Sequence, residues 1–155
     1  MRCSFDRGGF AIKHLRHRVL LLLLVAFVTA GCAPPQGPTG KQIAIKKADA
    51  ILDAIKSKDF KHAASLYSAQ FYKVTTPAKW QAHLEQVHQK YGDLKRYRLE
   101  KVIVNSVYSG ARFSLKFRTE YAKRDAVETM VFFRPINGEK VEIATHKMEI
   151  LPKDL

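Results

Sequence analysis

The chain has 155 residues and a formal net charge of +13, from 27 Lys and Arg against 14 Asp and Glu. Its length suits one folded domain beside any targeting segment, and its two cysteines exclude a disulfide framework, so the core forms by burial alone. The charge favours anionic partners, such as lipid headgroups, lipopolysaccharide or acidic glycan.

Lys13, Arg16 and Arg18 flank an unbroken apolar run from Val19 to Val28, 10 residues long. A helix of that length rises about 15 Å, half of a bilayer core, so it cannot span one. A basic flank, a short apolar stretch and small residues at its end form an export signal. Here the small residues are Thr29, Ala30 and Gly31, and they run into Cys32. That ending resembles the lipobox of bacterial lipoproteins, with Ala30, Gly31 and Cys32 in place and Thr29 where the family has Leu. The resemblance implies cleavage before Cys32, a diacylglyceryl group on its thiol and acylation (palmitate or a similar chain) of the new amino terminus. Two or three acyl chains hold a protein stably on a membrane, where one does not. The other reading is an ordinary secretory signal with Cys32 a bystander, which would leave a lone exported thiol.

Residues 1–31 hold five of the basic residues and one of the acidic ones. The remaining 124 residues carry 22 basic against 13 acidic side chains, net +9. The basic character therefore belongs to the domain, and export makes nucleic acid an unsuitable target. Residues 32–40 follow as a lipidated Cys and a tether, with APPQGPTG rich in Pro and Gly. Ala33 stands after the cysteine where Asp would direct retention, so the lipoprotein resemblance implies the outer membrane, facing the periplasm, in a cell with two membranes.

The globular domain is expected over 41–155. Lys41 to Ser57 reads as a helix, with Ala44, Ala48, Ile51, Leu52 and Ile55 on one face. Asp59 is placed to cap a second helix, whose buried stripe is Phe60, Ala63, Ala64, Tyr67 and Phe71. Thr76-Pro77 starts a third, with Pro77, Trp80, Leu84, Val87 and Tyr91 in helical spacing and Gly92 as its stop. The period then changes to two. Arg96 to Tyr108 is a strand whose register slips near Lys101, Ser109-Gly110 a tight turn, and Arg112 to Tyr121 a second strand. Ala126 to Arg134 and Val141 to Ile150 are the third and fourth, joined through Asn137-Gly138.

Three helices before a four-stranded antiparallel meander make an α+β fold, with the helices on the sheet's apolar face. The order resembles the NTF2-like (cystatin-like cone) superfamily, on the stretch from Ala50 to Phe71 and the late strand pairs. The likeness covers Lys41 to Leu151. Some members are isomerases or dehydratases that use carboxylates or His in a cone between helices and sheet, where burial tunes the acid's pKa.

Three residues here could serve such chemistry: Glu128, Glu142 and His146, with Glu142 and His146 expected on one face of the last strand. For each, a solvated strand face is the plainer expectation. His83 and His88 are five apart on one helix, the wrong spacing for a shared metal, and His62 is a surface residue by pattern. The chain has no H-E-x-x-H, Gly-rich phosphate loop, nucleophile elbow or CxxC. No catalytic residue, metal or cofactor is assigned. Tyr67, Trp80, Tyr91, Phe113 and Phe117 would line a cone if one is open, or fill it as core. Arg98, Arg112, Lys116 and Arg118 fall on one sheet face, extended by Lys123 and Arg124, and that face suits an anionic partner or a solvated exterior. The sequence thus points to a lipid-anchored envelope protein, with a domain that binds an envelope partner, a small ligand or a second copy of itself across the sheet. The alternatives are an enzyme of the isomerase or dehydratase type and a structural accessory of an envelope assembly.

Overall fold

The computed structural model describes residues 39–152 except 139. Cys32, the signal segment and nearly all of the tether lie outside the described residues.

The first helix, α1, spans Gly40–Lys56 and begins before the expected tether ends. Thr39 is its N-cap: the Thr39 hydroxyl accepts from the Gln42 amide at 3.3 Å and the Gln42 side chain accepts from the Thr39 amide at 2.8 Å. This reciprocal pairing satisfies two orphan donors of the first turn. It assigns Thr39 and Gly40, both placed in the tether by composition, to the helix. α2, Phe60–Ser65, is capped by Asp59, which accepts from the His62 amide at 3.0 Å. It stops six residues short of Phe71, which is carried instead by a 3₁₀ turn, Phe71–Lys73. α3, Pro77–Tyr91, starts on a Thr76 cap and a first-turn Pro and ends at Gly92, whose φ of 80° disfavours other residues.

Four antiparallel strands follow in the order β1-β2-β3-β4: β1 Leu94–Val107, β2 Gly110–Tyr121, β3 Asp125–Pro135 and β4 Glu142–Ile150. The β1–β2 register shifts between Leu94 and Arg96 and again between Leu99 and Lys101. The second shift is the slip read from the sequence. It lets Tyr97, Leu99, Val102 and Val104 share the inner face with Phe113, Phe117 and Leu115. A further shift, at Val131/Phe132, breaks the alternation of β4: Ile143 pairs with Phe132, while Thr145 pairs with Val131. Ala144 is therefore a bulge residue.

α1 lies against β1, β2 and β3. Its buried residues Ala44, Ala48, Ile51 and Leu52 meet Leu115, Phe117, Met130 and Phe132 from the sheet in one core. Among the described residues, no helix is long and apolar enough to cross a membrane.

Candidate functional site

On β3 the two faces are both largely apolar, so alternation alone does not say which is inside. The register decides: Ala126, Glu128, Met130 and Phe132 pair with inner-face residues of β2, and Glu128 sits opposite Phe117 on one side and Met148 on the other. Glu128 is thus in the core, 1% exposed. The expectation of a solvated strand face for Glu128 and His146 is overturned. The His146 side chain is 4% exposed and its Nε2 lies 2.7 Å from Glu128 Oε2. The other carboxylate oxygen accepts from the Tyr121 hydroxyl at 2.8 Å. His146 Nδ1 is 2.6 Å from the Tyr67 hydroxyl. The result is one chain of hydrogen bonds, Tyr121–Glu128–His146–Tyr67, crossing the core from β2 to the segment after α2.

Each member is held by its own element. Tyr67 follows α2, where the Ser68 hydroxyl donates to the Ile143 carbonyl at 2.6 Å and so ties that segment to β4. The β4 bulge turns His146 inward and leaves Glu142 outward, opposite Phe133 and exposed. Glu142 and His146 therefore do not share a face, contrary to simple alternation, and Glu142 takes no part in the network. Tyr67 also packs its ring parallel to His146, with centroids 6.0 Å apart.

Burial by itself pushes the Glu128 carboxyl up, but hydrogen bonds and positive charge from His146, with the Tyr121 and Thr119 hydroxyls, bring it net below the ordinary value of 4.5. Glu128 is an ionised carboxylate. It can only accept, so His146 Nε2 carries a proton. In the neutral ring Nδ1 accepts from Tyr67; in the protonated ring it donates to the Tyr67 oxygen. The same bond serves both states. Burial raises the Tyr67 phenol well above its ordinary value, the Trp80 indole opposing this and the Glu128 charge adding to it. Burial also raises the Tyr121 phenol, followed by the Glu128 charge and the hydrogen bond to it. The indole N–H of Trp80 is buried without an acceptor in hydrogen-bond geometry.

Beside His146 opens a groove of about 470 Å³, lined chiefly by Phe71, Lys79, Trp80, His83, Thr145 and His146. Trp80 is its centre: it stacks on His83 at 5.0 Å and meets the edges of Phe71 at 4.9 Å and Tyr67 at 5.3 Å. A larger groove, about 550 Å³, is lined by Arg112, Val131, Phe133, Glu142 and neighbours. It has no acid–base pair in hydrogen-bond contact, so the smaller groove is the one with organised polar chemistry behind it.

Of the residues expected to line a cone, Trp80 lines the groove and Tyr67 forms the layer behind it. Phe113 and Phe117 are core residues, 3% and 0% exposed, and line neither groove. They share the core with the buried residues of α1. Tyr91 is half-buried at the end of α3, with the Lys90 ammonium 5.2 Å from its ring centre, and lines neither groove. Phe71 and His83 were not assigned to a site by sequence. Their only signal was shared proximity to Trp80 along α3 and its approach.

The cations Arg98, Arg112, Lys116 and Arg118 do share the outer sheet face. Arg98 stands directly opposite Arg118, and Lys101 opposite Lys116. Arg98 reaches Glu100 at 3.3 Å and Arg118 reaches Asp125 at 3.0 Å. Lys123 and Arg124 sit in the β2–β3 turn at the opposite end of the strand from Arg112.

No family model and no curated protein matches the chain. Solved structures do. The yeast UBP3-associated protein BRE5 aligns with a TM-score of 0.53 at 12% identity, over 74% of this chain and 98% of that one. A protein from Catenulispora acidiphila aligns with a TM-score of 0.50 at 12% identity, over 70% and 88%. Bdellovibrio bacteriovorus Bd1075 aligns at 0.47 and 13% identity over 71% of this chain, which spans only 40% of that protein's length. At these identities the likeness is one of fold alone.

Proposed function

We propose that the chain is a lipid-anchored cell-envelope protein, held through acylated Cys32, whose domain is an NTF2-like module that binds a small apolar ligand in the Trp80 groove without transforming it. One observation carries the choice of binding over catalysis. Both nitrogens of His146 and both oxygens of Glu128 are already engaged inside the protein. A general base must reach its proton directly or through one water. Here the imidazole has no free nitrogen to offer, and the phenol that touches it is held protonated. An isomerase or dehydratase would need His146 released from Tyr67. What the network does supply is a fixed, fully paired floor under an aromatic groove, and apolar grooves with a few oriented polar groups suit small ligands.

Trp80 is the single tryptophan of the chain, so its emission reports on the groove. The full chain, extracted from membranes in detergent without refolding, is stripped of bound small molecules and the extract is returned to it. The proposal expects a saturable change in Trp80 emission, abolished by Thr75→Phe, which adds a ring at a position that lines the Trp80 groove and not the larger one. An emission that ignores the extract, in a folded protein, overturns the proposal. For the anchor, metabolic labelling with palmitate and membrane fractionation of the Cys32→Ser variant are decisive: loss of both label and membrane retention is expected.

The outer face supports a second role. Like charges directly opposite on neighbouring strands lower stability, and two such pairs stand side by side. Arg98 and Arg118 already reach Glu100 and Asp125, so an acidic partner would chiefly relieve the Lys101–Lys116 pair. With heparin as a polyanionic probe, a Lys116→Glu/Arg118→Glu variant is expected to elute at clearly lower salt than the parent chain; unchanged elution removes this role.

A further inference from the structure

The described residues expose large apolar side chains unevenly. Tyr108 is 99% exposed and Ile136 68%, with Val104, Val107 and Ile103 also open to solvent. These five lie at one end of the sheet, while Val74, between the 3₁₀ turn and α3, and Leu99 are the exposed large apolar residues elsewhere among the described residues. Tyr108 is in the β1–β2 turn, Ile136 follows β3, and the two hairpin tips are joined by the Ile136 amide donating to the Ser109 carbonyl at 2.9 Å. Gly110 pairs with Pro135 just behind them. Clustered, exposed apolar residues on a soluble domain mark a contact surface.

The first helix begins at the same end. A side chain added at Gly40 would meet the Phe113 ring tip at 2.7 Å and the Arg134 guanidinium at 3.4 Å. Phe113 and Arg134 belong to the β2 and β3 segments next to the tips, so α1 begins there. Seven residue steps separate Cys32 from Thr39, at most about 25 Å of chain. The opposite end of β2, at Tyr121, is about 36 Å further along the strand. Arg112, Arg134 and Lys140, all exposed, belong to the strand ends and connection next to the tips, and exposed Lys41 is in the first turn of α1; the acidic residues of this end are Glu142 and, by sequence, Glu139. Apolar and aromatic tips with cations beside them are what an anionic bilayer surface accepts.

We infer that the two joined hairpin tips, Val107-Tyr108 and Ile136, dock into the headgroup layer of the anionic membrane that holds the acyl chains of Cys32. The inference rests on the lipoprotein reading and adds to it an orientation: sheet end down, β2–β3 turn and Lys123 away from the bilayer.

The test places a tryptophan at each end of the full chain in a Trp80→Phe background, as Tyr108→Trp or Lys123→Trp. Each protein is combined with vesicles of phosphatidylethanolamine and phosphatidylglycerol whose acyl chains are brominated. Quenching several-fold stronger at position 108 than at 123 is expected. Equal or absent quenching at 108 overturns the docking. If Trp80→Phe impairs folding, the two substitutions are made with Trp80 retained and read as differences from the parent chain. The mass of the N-terminal peptide reports lipid on Cys32 separately. A lipidated chain with an unquenched tip sinks the orientation and keeps the anchor. An unlipidated chain whose tip is still quenched sinks the anchor and keeps the docking.

Discussion

Replacing Glu128 by Ala tests the buried network at its centre. The carboxylate accepts from Tyr121 at 2.8 Å and from His146 at 2.7 Å, with 1% of the residue exposed. Its loss leaves two donors in the core without acceptors and a void beneath Phe117 and Met148. Each buried donor left unpaired costs about 1–3 kcal/mol, and removing one partner of a buried ion pair, which this is when the imidazole is protonated, costs about 3–5 kcal/mol. The two figures describe overlapping effects, so the expected loss is about 3–5 kcal/mol. At roughly 4 °C per kcal/mol for a domain of this size, the melting temperature falls by about 12–20 °C. Glu128→Gln keeps the shape and one acceptor but turns an amide N–H₂ toward a donor. Its cost is about 1–3 kcal/mol. Urea unfolding followed by far-UV circular dichroism measures both. A Glu128→Ala loss under about 1 kcal/mol would refute the reasoning, because a surface-accessible carboxylate behaves that way.

Acid provides an independent reading of the same group. Glu128 has its folded pKa below the ordinary 4.5. A depressed carboxylate contributes stability that is present above the unfolded value and lost as pH falls through the folded one. The stability gap between the parent chain and Glu128→Gln is therefore expected to close as pH falls below 4.5; a gap that widens there contradicts the depression. Gly110→Ala places a Cβ 2.1 Å from the Arg134 carbonyl oxygen at a φ of 149°. A loss of about 3 kcal/mol or more is expected in thermal melts, and a neutral result would mean the hairpin tip is not joined as described. Lys101→Glu converts the Lys101–Lys116 pair into an attractive one, so a gain of about 0.2–1 kcal/mol is expected at low salt, shrinking as salt is added; a loss would count against the cross-strand register.

The helices and strands were legible because their signals are local. Asp59, Thr76-Pro77 and Gly92 punctuate the chain by short-range chemistry, and the change of period after Gly92 needs no tertiary knowledge. The Thr39 cap was hidden because the Pro and Gly around it read as linker. The site was less legible because its decisive features are relations between strands. Glu128 alternates between two apolar faces, and only its pairing with Phe117 and Met148 says that it is inside. Glu142 was grouped with His146 because alternation was carried straight through Ala144, where the structure has a bulge. Phe113 and Phe117 fit a cone lining by residue type, yet α1 packs close enough to make them core. The outer cations needed no such information, since β2 alternates cleanly.

The central claim is that His146 and Glu128 form a closed, fully paired network and not a working acid–base site. Its most direct test is proton NMR of the folded full chain in water, watching the His146 Nε2–H and the Tyr121 hydroxyl. Protons sealed from solvent and hydrogen-bonded to a carboxylate exchange slowly enough to appear, so both resonances are expected, and at least one should vanish in Glu128→Gln, which keeps a single acceptor. If neither resonance is visible in the parent chain while the backbone amides of β3 and β4 are protected, the network is open to water. The imidazole would then be available to a substrate, and the binding-only account would be wrong.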